Sequence, residues 1–491
     1  MYRPRSLHSD IGDVEIIEHQ GRLHMFHLVI PNRDLVGHAV SPDGLSWTAL
    51  PPAVRTGDPG DWDDDMIRTV SVTERAGRFY MLYSATCRAD GGAVERTCGA
   101  VSDDLMHWEK LPDVAGIAPD ERFYEGETLS PSRVPWRDPK PFFWQGRYYC
   151  VLCARENKGP LLRRGAVALM VSDDLIHWTQ HAPLYAPGAC MELECPQIYR
   201  MDGRFYLIAS LMEDSSQRYW VADALEGPYR VAGGDNLLAP PKTHYAGRIA
   251  RFQGRDVFAC WTFANEDGPS PFGLHVTPGA LIKYVPAVLD LCAEPDGRLT
   301  LRTPAAWDAY AAGAARPLFG QAGGQALCGN PHAAVEACAV RAASGMEMLL
   351  DECSDGDFTL RGTLTMTGYK GGVVFHVGED GSGYLLELYP AQARARLVKH
   401  FPRETPQGNV WFDYRVMAET SVCLDALARA DGLDVLARAV GGEIEISLGG
   451  AVRFATVSTR ARAGRIGLFA EDGAVRIHGA TVTPMRAPEN R

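Results

Sequence analysis

Residues 145–153 read QGRYYCVLC, a Gln-Gly-Arg turn followed at once by aromatic and aliphatic residues suited to a buried strand. The same phrase occurs four more times, as QGRLHMFHL at 20–28, AGRFYMLYS at 76–84, DGRFYLIAS at 202–210 and QGRDVFACW at 253–261. A second phrase follows three of the five copies: SPDGLSW at 41–47, SDDLMHW at 102–108 and SDDLIHW at 172–178, with a degraded form, ADALEGPY, at 222–229. Ser and Asp suit a turn, and the closing Trp can cover a blade's outer edge. Strand, glycine turn, two strands and an Asp turn, repeated at long and similar spacing, is the pattern of propeller blades. Five copies predict five blades, starting near Asp13, Ile67, Arg137, Glu192 and Thr243.

Beyond Tyr284 the pattern changes. Residues 285–310 suggest one strand pair and a short helix around Trp307, and the Gly- and Ala-rich stretch 311–331 reads as a linker. From about Glu347 alternation returns, in FTLRGTLTM, GGVVFHV, YLLELYP, ARLVKHF, EIEISLGG and GRIGLFAE. Many short alternating strands after a linker predict a sandwich. The expected fold is therefore all-β: a five-bladed β-propeller catalytic domain over 1–285, a connector over 286–340 and a C-terminal β-sandwich over 341–491.

A formal charge of -12 over 491 residues argues against a nucleic-acid partner, which requires a basic face. No run approaches the ~18 apolar residues of a membrane span. No apolar stretch follows Arg3 and Arg5, so the start does not read as a secretory signal and a cytoplasmic location is expected. The sequence has twelve cysteines. Most, among them Cys150, Cys153, Cys260 and Cys423, sit in apolar strand-like runs, where a reduced thiol acts as a small hydrophobe. No Cys/His spacing suggests zinc, and neither metal nor cofactor is expected. The expected partner is a carbohydrate substrate. Nothing in the sequence marks a particular oligomeric state.

In a propeller the innermost strands all start at one end of the central axis, so equivalent repeat positions become neighbours. Counting back eight or nine residues from each repeat glycine reaches Asp13, Thr69, Asp138, Glu194 and Tyr245. Three of the five are acids. Clustered carboxylates repel, which raises at least one pKa and leaves another ionised, the split that glycoside cleavage requires. Turn or bulge chemistry at a strand start is the alternative reading of Asp-Pro and Glu-Cys-Pro. Asp10 competes with Asp13, and Glu192 with Glu194. Arg137 is a surface residue or a partner for a sugar hydroxyl, and Trp62 and Trp136 are sugar-stacking platforms or packing residues. The DWDDD run at 61–65 reads as a solvated loop, with a metal role as the alternative.

WRDPKPFFWQGRYY around Asp138 and LECPQIYRMDGRFYLIAS around Glu194 resemble the Arg-Asp-Pro and Glu-Cys-Pro motifs of glycoside hydrolase family 32, the fructofuranosidase family of invertases, levanases and inulinases. The SDDLxHW phrases, LDLCAEPDGRLTLRTP at 289–304 and the C-terminal strands also match that family's layout. The resemblance implies that Asp13 is the nucleophile, Asp138 the transition-state stabiliser and Glu194 the acid/base of a retaining β-fructofuranosidase. It also implies that Arg137 contacts furanose hydroxyls. Two stretches depart from the family. Its Asn-Asp-Pro-Asn-Gly motif is replaced by Gly12-Asp13-Val14-Glu15, and its small-residue motif in the second blade by IRTVSV around Thr69, so an altered sugar site is expected. The alternatives are an inverting arabinofuranosidase- or xylosidase-like enzyme of the family 43 type and a non-catalytic carbohydrate-binding propeller.

Overall fold

Each repeat phrase folds as a two-residue hairpin. Gln20–Gly21, Ala76–Gly77, Gln145–Gly146, Asp202–Gly203 and Gln253–Gly254 all have φ between 46° and 85°. Paired left-handed residues define a type I′ turn, whose twist matches the flanking strands, and glycine takes the second place without a Cβ penalty. The computed structural model describes residues 1–3, 10–127, 130, 133–241, 243–263, 283–320, 323–404, 408–458 and 460–490.

The hairpins join the first two strands of five antiparallel sheets. The inner strands are Asp10–His19, Met66–Arg75, Trp136–Trp144, Leu193–Met201 and Tyr245–Phe252. Each heads a sheet whose strands follow outward in chain order, giving the five-bladed propeller read from the repeats. Apolar side chains fill the gaps between successive blades. Ile11, Trp47, Phe252 and Val285 pack together between the first and last blades, and Leu82, Trp136 and Leu152 between the second and third. Each fully buried side chain of this kind contributes roughly 1.5–3 kcal/mol. Ring closure is helped by the backbone of Tyr2, whose N–H donates to Val285 O at 2.7 Å.

The second phrase is a self-capped turn. Asp43, Asp104 and Asp174 each accept backbone N–H groups from residues two and three positions on, at 2.8–2.9 Å. Trp108 and Trp178 donate Nε1–H to the carbonyls of Leu105 and Leu175. In the degraded fourth copy the Tyr229 hydroxyl makes the corresponding bond to Leu225 O at 2.9 Å.

The propeller runs past the boundary expected at 285. Leu289–Ala293 and Leu299–Arg302, read as part of a connector, are the outer strands of the fifth blade. The chain divides into one compact unit of Met1–Thr262 with Lys283–Leu301 and Glu489–Arg491, and a second that includes Arg302–Pro488. The short helix around Trp307 is a 3-10 turn, Ala305–Tyr310, that buries the indole. Past it, the long strands Phe358–Val377 and Gly464–Pro484 pair along their length, while Phe358–Val377 takes Leu433–Val440 at one end and Gly383–Tyr389 at the other. The strand changes partner midway, so its two ends form different layers of the sandwich around Leu360, Leu386, Ile446 and Leu468.

Among the described residues no helix is long and apolar enough to cross a membrane. All twelve cysteines are free thiols, and Cys150, Cys153 and Cys260 are buried as expected. Cys423 is exposed, because it follows the strand Val410–Ser421 instead of lying within it.

Candidate active site

Every inner strand carries a β-bulge at one end. Pairing with the second strand slips between Ile11 and Val14, Ile67 and Val70, Arg137 and Lys140, Glu194 and Gln197, and Tyr245 and Arg248, two residues facing one in each case. Such bulges re-aim side chains. Asp13, Thr69 and Asp138 lie within them, whereas Glu194 and Tyr245 are the last paired residues before them. That offset explains the count of nine residues in two blades and eight in three. Asp138 and Cys195 take φ values of 63° and 49°, a left-handed conformation costing roughly 1–2 kcal/mol for a residue with a Cβ.

The bulges gather six candidate residues into two neighbouring bonded groups, Asp13 with Thr69, and Asp138 and Glu194 with Arg137 and Tyr245. Asp13 Oδ2 accepts from Thr69 Oγ1 at 2.5 Å, and its Oδ1 accepts from Trp261 Nε1 at 2.9 Å. Asp138 Oδ2 accepts the Cys195 N–H at 2.7 Å and lies 3.8 Å from Arg137 Nε. Glu194 Oε1 accepts from Arg137 Nη2 at 2.6 Å, and its Oε2 accepts from the Tyr245 hydroxyl. Arg137 also reaches Glu95 at 3.2 Å and bonds Glu192.

The two aspartates are driven apart in proton affinity. Burial would raise Asp13, but the Thr69 bond, the charges of Lys283 and Arg33 and the Trp261 bond hold it below its ordinary value. Burial raises Asp138 to about 6, with the charges of Asp13 and Glu194 adding to it against Arg137. Asp13, Asp138 and Cys195 each offer an atom within 4.8 Å of the others. These three could meet a metal ion, but burial and the two aspartates push the Cys195 thiol well up, and both Asp13 oxygens already accept hydrogen bonds. The set is better suited to sharing a proton than to holding a cation.

This arrangement sets a stability test. Between its ordinary pKa near 4 and its folded value near 6, Asp138 keeps in the native state a proton that the unfolded chain releases, so stability falls as pH rises through that window. Asp138→Asn removes this cost while leaving an oxygen for the Cys195 N–H. It is expected to raise the unfolding free energy by about 2–3 kcal/mol at pH 7 and by almost nothing at pH 4, measured by urea titration. Equal gains at both pH values would contradict the protonation cost.

The competing acids have other partners. Asp10 accepts the backbone N–H groups of Ile11 and Lys283 at 2.9 and 3.0 Å, which ties down a strand end. Glu192 is buried between Arg137 and Arg155. Trp136 is completely buried, with its ring centroid 5.0 Å from that of Tyr124, so it is a packing residue and not a sugar platform. Trp62 is exposed, with the Arg96 guanidinium 4.9 Å from its ring centre. The DWDDD loop is solvated only in part, with Asp61 and Trp62 exposed. Asp63 and Asp64 are buried, Asp63 by Tyr83 and Lys110, and Asp64 by the N–H groups of Gly60 and Arg88.

Several members of the site were not singled out by sequence. Trp261 bonds Asp13, Lys283 lies 3.9 Å over the Trp261 ring, and Glu95 gathers three arginines. Buried Arg248 donates to Cys195 O and Pro196 O at 3.1 and 2.9 Å, clamping the bulge beside Glu194. A signal for Trp261 existed. It is the ninth residue of its repeat phrase, and the ninth residues Ser84 and Ser210 likewise bond the bulge of the next blade, at Asp138 N and Ala246 N.

The sequence profile of the Glycosyl hydrolases family 32 N-terminal domain matches residues 13–271. An insoluble beta-fructofuranosidase isoenzyme of Arabidopsis thaliana is 25% identical over 181 residues, 35% of this chain and 30% of that protein. A sucrose-6-phosphate hydrolase of Zymomonas mobilis is 23% identical over 269 residues, 52% of this chain and 50% of that one. The matched region thus spans half or less of these relatives' length. Among solved structures, fructan 1-exohydrolase IIa from Cichorium intybus aligns over 100% of this chain and 97% of its own, with a TM-score of 0.69 at 14% identity. That likeness shows the same fold.

Proposed function

The chain belongs to glycoside hydrolase family 32, and from that premise we propose that it cleaves a β-fructofuranosidic bond in an oligosaccharide, glycoside or fructan by retaining double displacement. The observation that carries this reading is the contrast between two neighbouring aspartates. Asp13 is held ionised between Thr69 and Trp261, as a nucleophile must be, while Asp138 retains a proton up to about pH 6. Glu194, fixed by Arg137 and Tyr245, protonates the leaving oxygen and then deprotonates the incoming water. Asp138 and Arg137 bind ring hydroxyls, and Trp62 offers an exposed face for stacking a further sugar.

The names of the relatives support fructosyl transfer to water as the chemistry. A panel of fructosides, arabinofuranosides and xylosides, with the first-formed product anomer followed by NMR, tests the reading. Turnover of a fructoside with release of the β-anomer is expected. Release of the inverted anomer, or turnover of arabinosides or xylosides alone, would favour the inverting alternative. No turnover of any member would point to a binding protein.

A further inference from the structure

Arg68 immediately precedes Thr69, whose hydroxyl bonds Asp13, and the charge of Arg33 also favours ionised Asp13. Arg33 lies in the turn between the second and third strands of the first blade. Its carbonyl accepts the Ile67 N–H at 2.8 Å, which fixes it to the strand that carries Arg68 and Thr69. The Arg68 Nε is 3.1 Å from Glu95, which also faces Arg133 at 2.8 Å and Arg137 at 3.2 Å; Arg137 has Glu192 and Glu194 besides, whereas Arg68 shares its one carboxylate.

The charge of Arg33 acts on Asp13, Arg68 and Lys283 alike. Burial, with Arg133, Arg33 and Arg137 adding to it against Glu95, pushes Arg68 down to about 10. Cations crowded in this way repel unless an anion lies between them, and the guanidinium fork matches a carboxylate or phosphate in two-point fashion. Arg68-Thr69 is also where the chain departs from the family's small-residue motif.

We propose that the sugar on the Asp13 side of the scissile bond carries an oxyanion, a carboxylate or a phosphate ester, received between Arg33 and Arg68. This rests on the glycosidase reading of the same site and names its substrate class. The anion belongs to the sugar attacked by Asp13, not to the leaving group.

Calorimetric titration of the full chain with fructose, fructose 6-phosphate, fructose 1-phosphate, fructuronate and inorganic phosphate tests it. At least one anionic ketose is expected to bind about tenfold or more tightly than fructose, less so at high salt. Whether a phosphate ester or the carboxylate wins identifies the anion. Arg33→Ala and Arg68→Gln are expected to bring that ratio close to one, with thermal melts confirming that both variants are folded. Equal binding of fructose and every anionic ketose would overturn the proposal, as would a preference that survives both substitutions. Inorganic phosphate binding as tightly as the best ketose would show an ion site with no sugar. If fructose and its anionic derivatives all fail to bind, this proposal fails, while the turnover panel decides the glycosidase reading separately.

Discussion

Asp13→Asn is expected to lower kcat by about 10⁴-fold or more on any substrate the protein turns over, and Asp10→Asn by less than about tenfold. The two residues are three positions apart on one strand, yet their surroundings differ in kind. Asp13 is bonded by side chains from the second and fifth blades, Thr69 and Trp261, which orient its carboxylate and favour its charge. Asp10 accepts backbone N–H groups, and burial raises its proton affinity. Losing one of those bonds costs stability, about 1 kcal/mol, and not chemistry. Added azide separates a lost nucleophile from a damaged site. In Asp13→Asn it is expected to restore turnover of an activated aryl fructoside and to yield a fructosyl azide of inverted configuration. Full activity in Asp13→Asn with inactivity in Asp10→Asn would move the nucleophile to Asp10.

The propeller was legible because its period is long and its turns are chemically demanding. A type I′ hairpin needs two left-handed residues, so glycine recurs at Gly21, Gly77, Gly146, Gly203 and Gly254 whatever else varies. The end of the fifth blade was not legible. Its outer strands, Leu289–Ala293 and Leu299–Arg302, are separated from the repeat phrase and follow no Asp turn, so nothing local ties them to the blade. Asp63 and Asp64 depart from the sequence expectation for a related reason. Composition predicts exposure for a run of acids, whereas here the carboxylates accept buried backbone and tyrosine donors.

The candidate site divides along the same line. Residues fixed by their phase in the inner strand, Asp13, Thr69, Asp138, Glu194 and Tyr245, could be read off by counting. Residues contributed by the second strand of a neighbouring blade could not be, until Ser84, Ser210 and Trp261 are seen to fill one repeat position and to reach the next blade's bulge. Trp136 shows the limit of reading by proximity. It adjoins Arg137 in sequence, but it turns into the apolar gap between the second and third blades, away from the axis.

Glu194→Gln is expected to lower kcat by about 10²–10⁴-fold on a substrate with a sugar leaving group. The loss should be far smaller for the first step on a nitrophenyl fructoside, because a good leaving group needs little protonation. Deglycosylation still requires a base, so a burst of nitrophenol followed by a slow steady state is the expected signature. Gln keeps the shape and one acceptor for Arg137 Nη2, while the Tyr245 hydroxyl, now beside an amide, can turn to accept instead of donate. The fold should therefore survive. Glu192→Gln is the control. Its carboxylate bonds the same Arg137 but is also held by Arg155 and lies deeper, so its loss should loosen Arg137 and weaken both leaving-group classes by a similar factor. A leaving-group dependence in Glu192→Gln that is absent from Glu194→Gln would exchange the two assignments. The distinction is physical. Both glutamates touch one guanidinium, but Glu192 is enclosed by arginines on two sides, whereas Glu194 shares its second oxygen with a neutral hydroxyl and is the more exposed of the two.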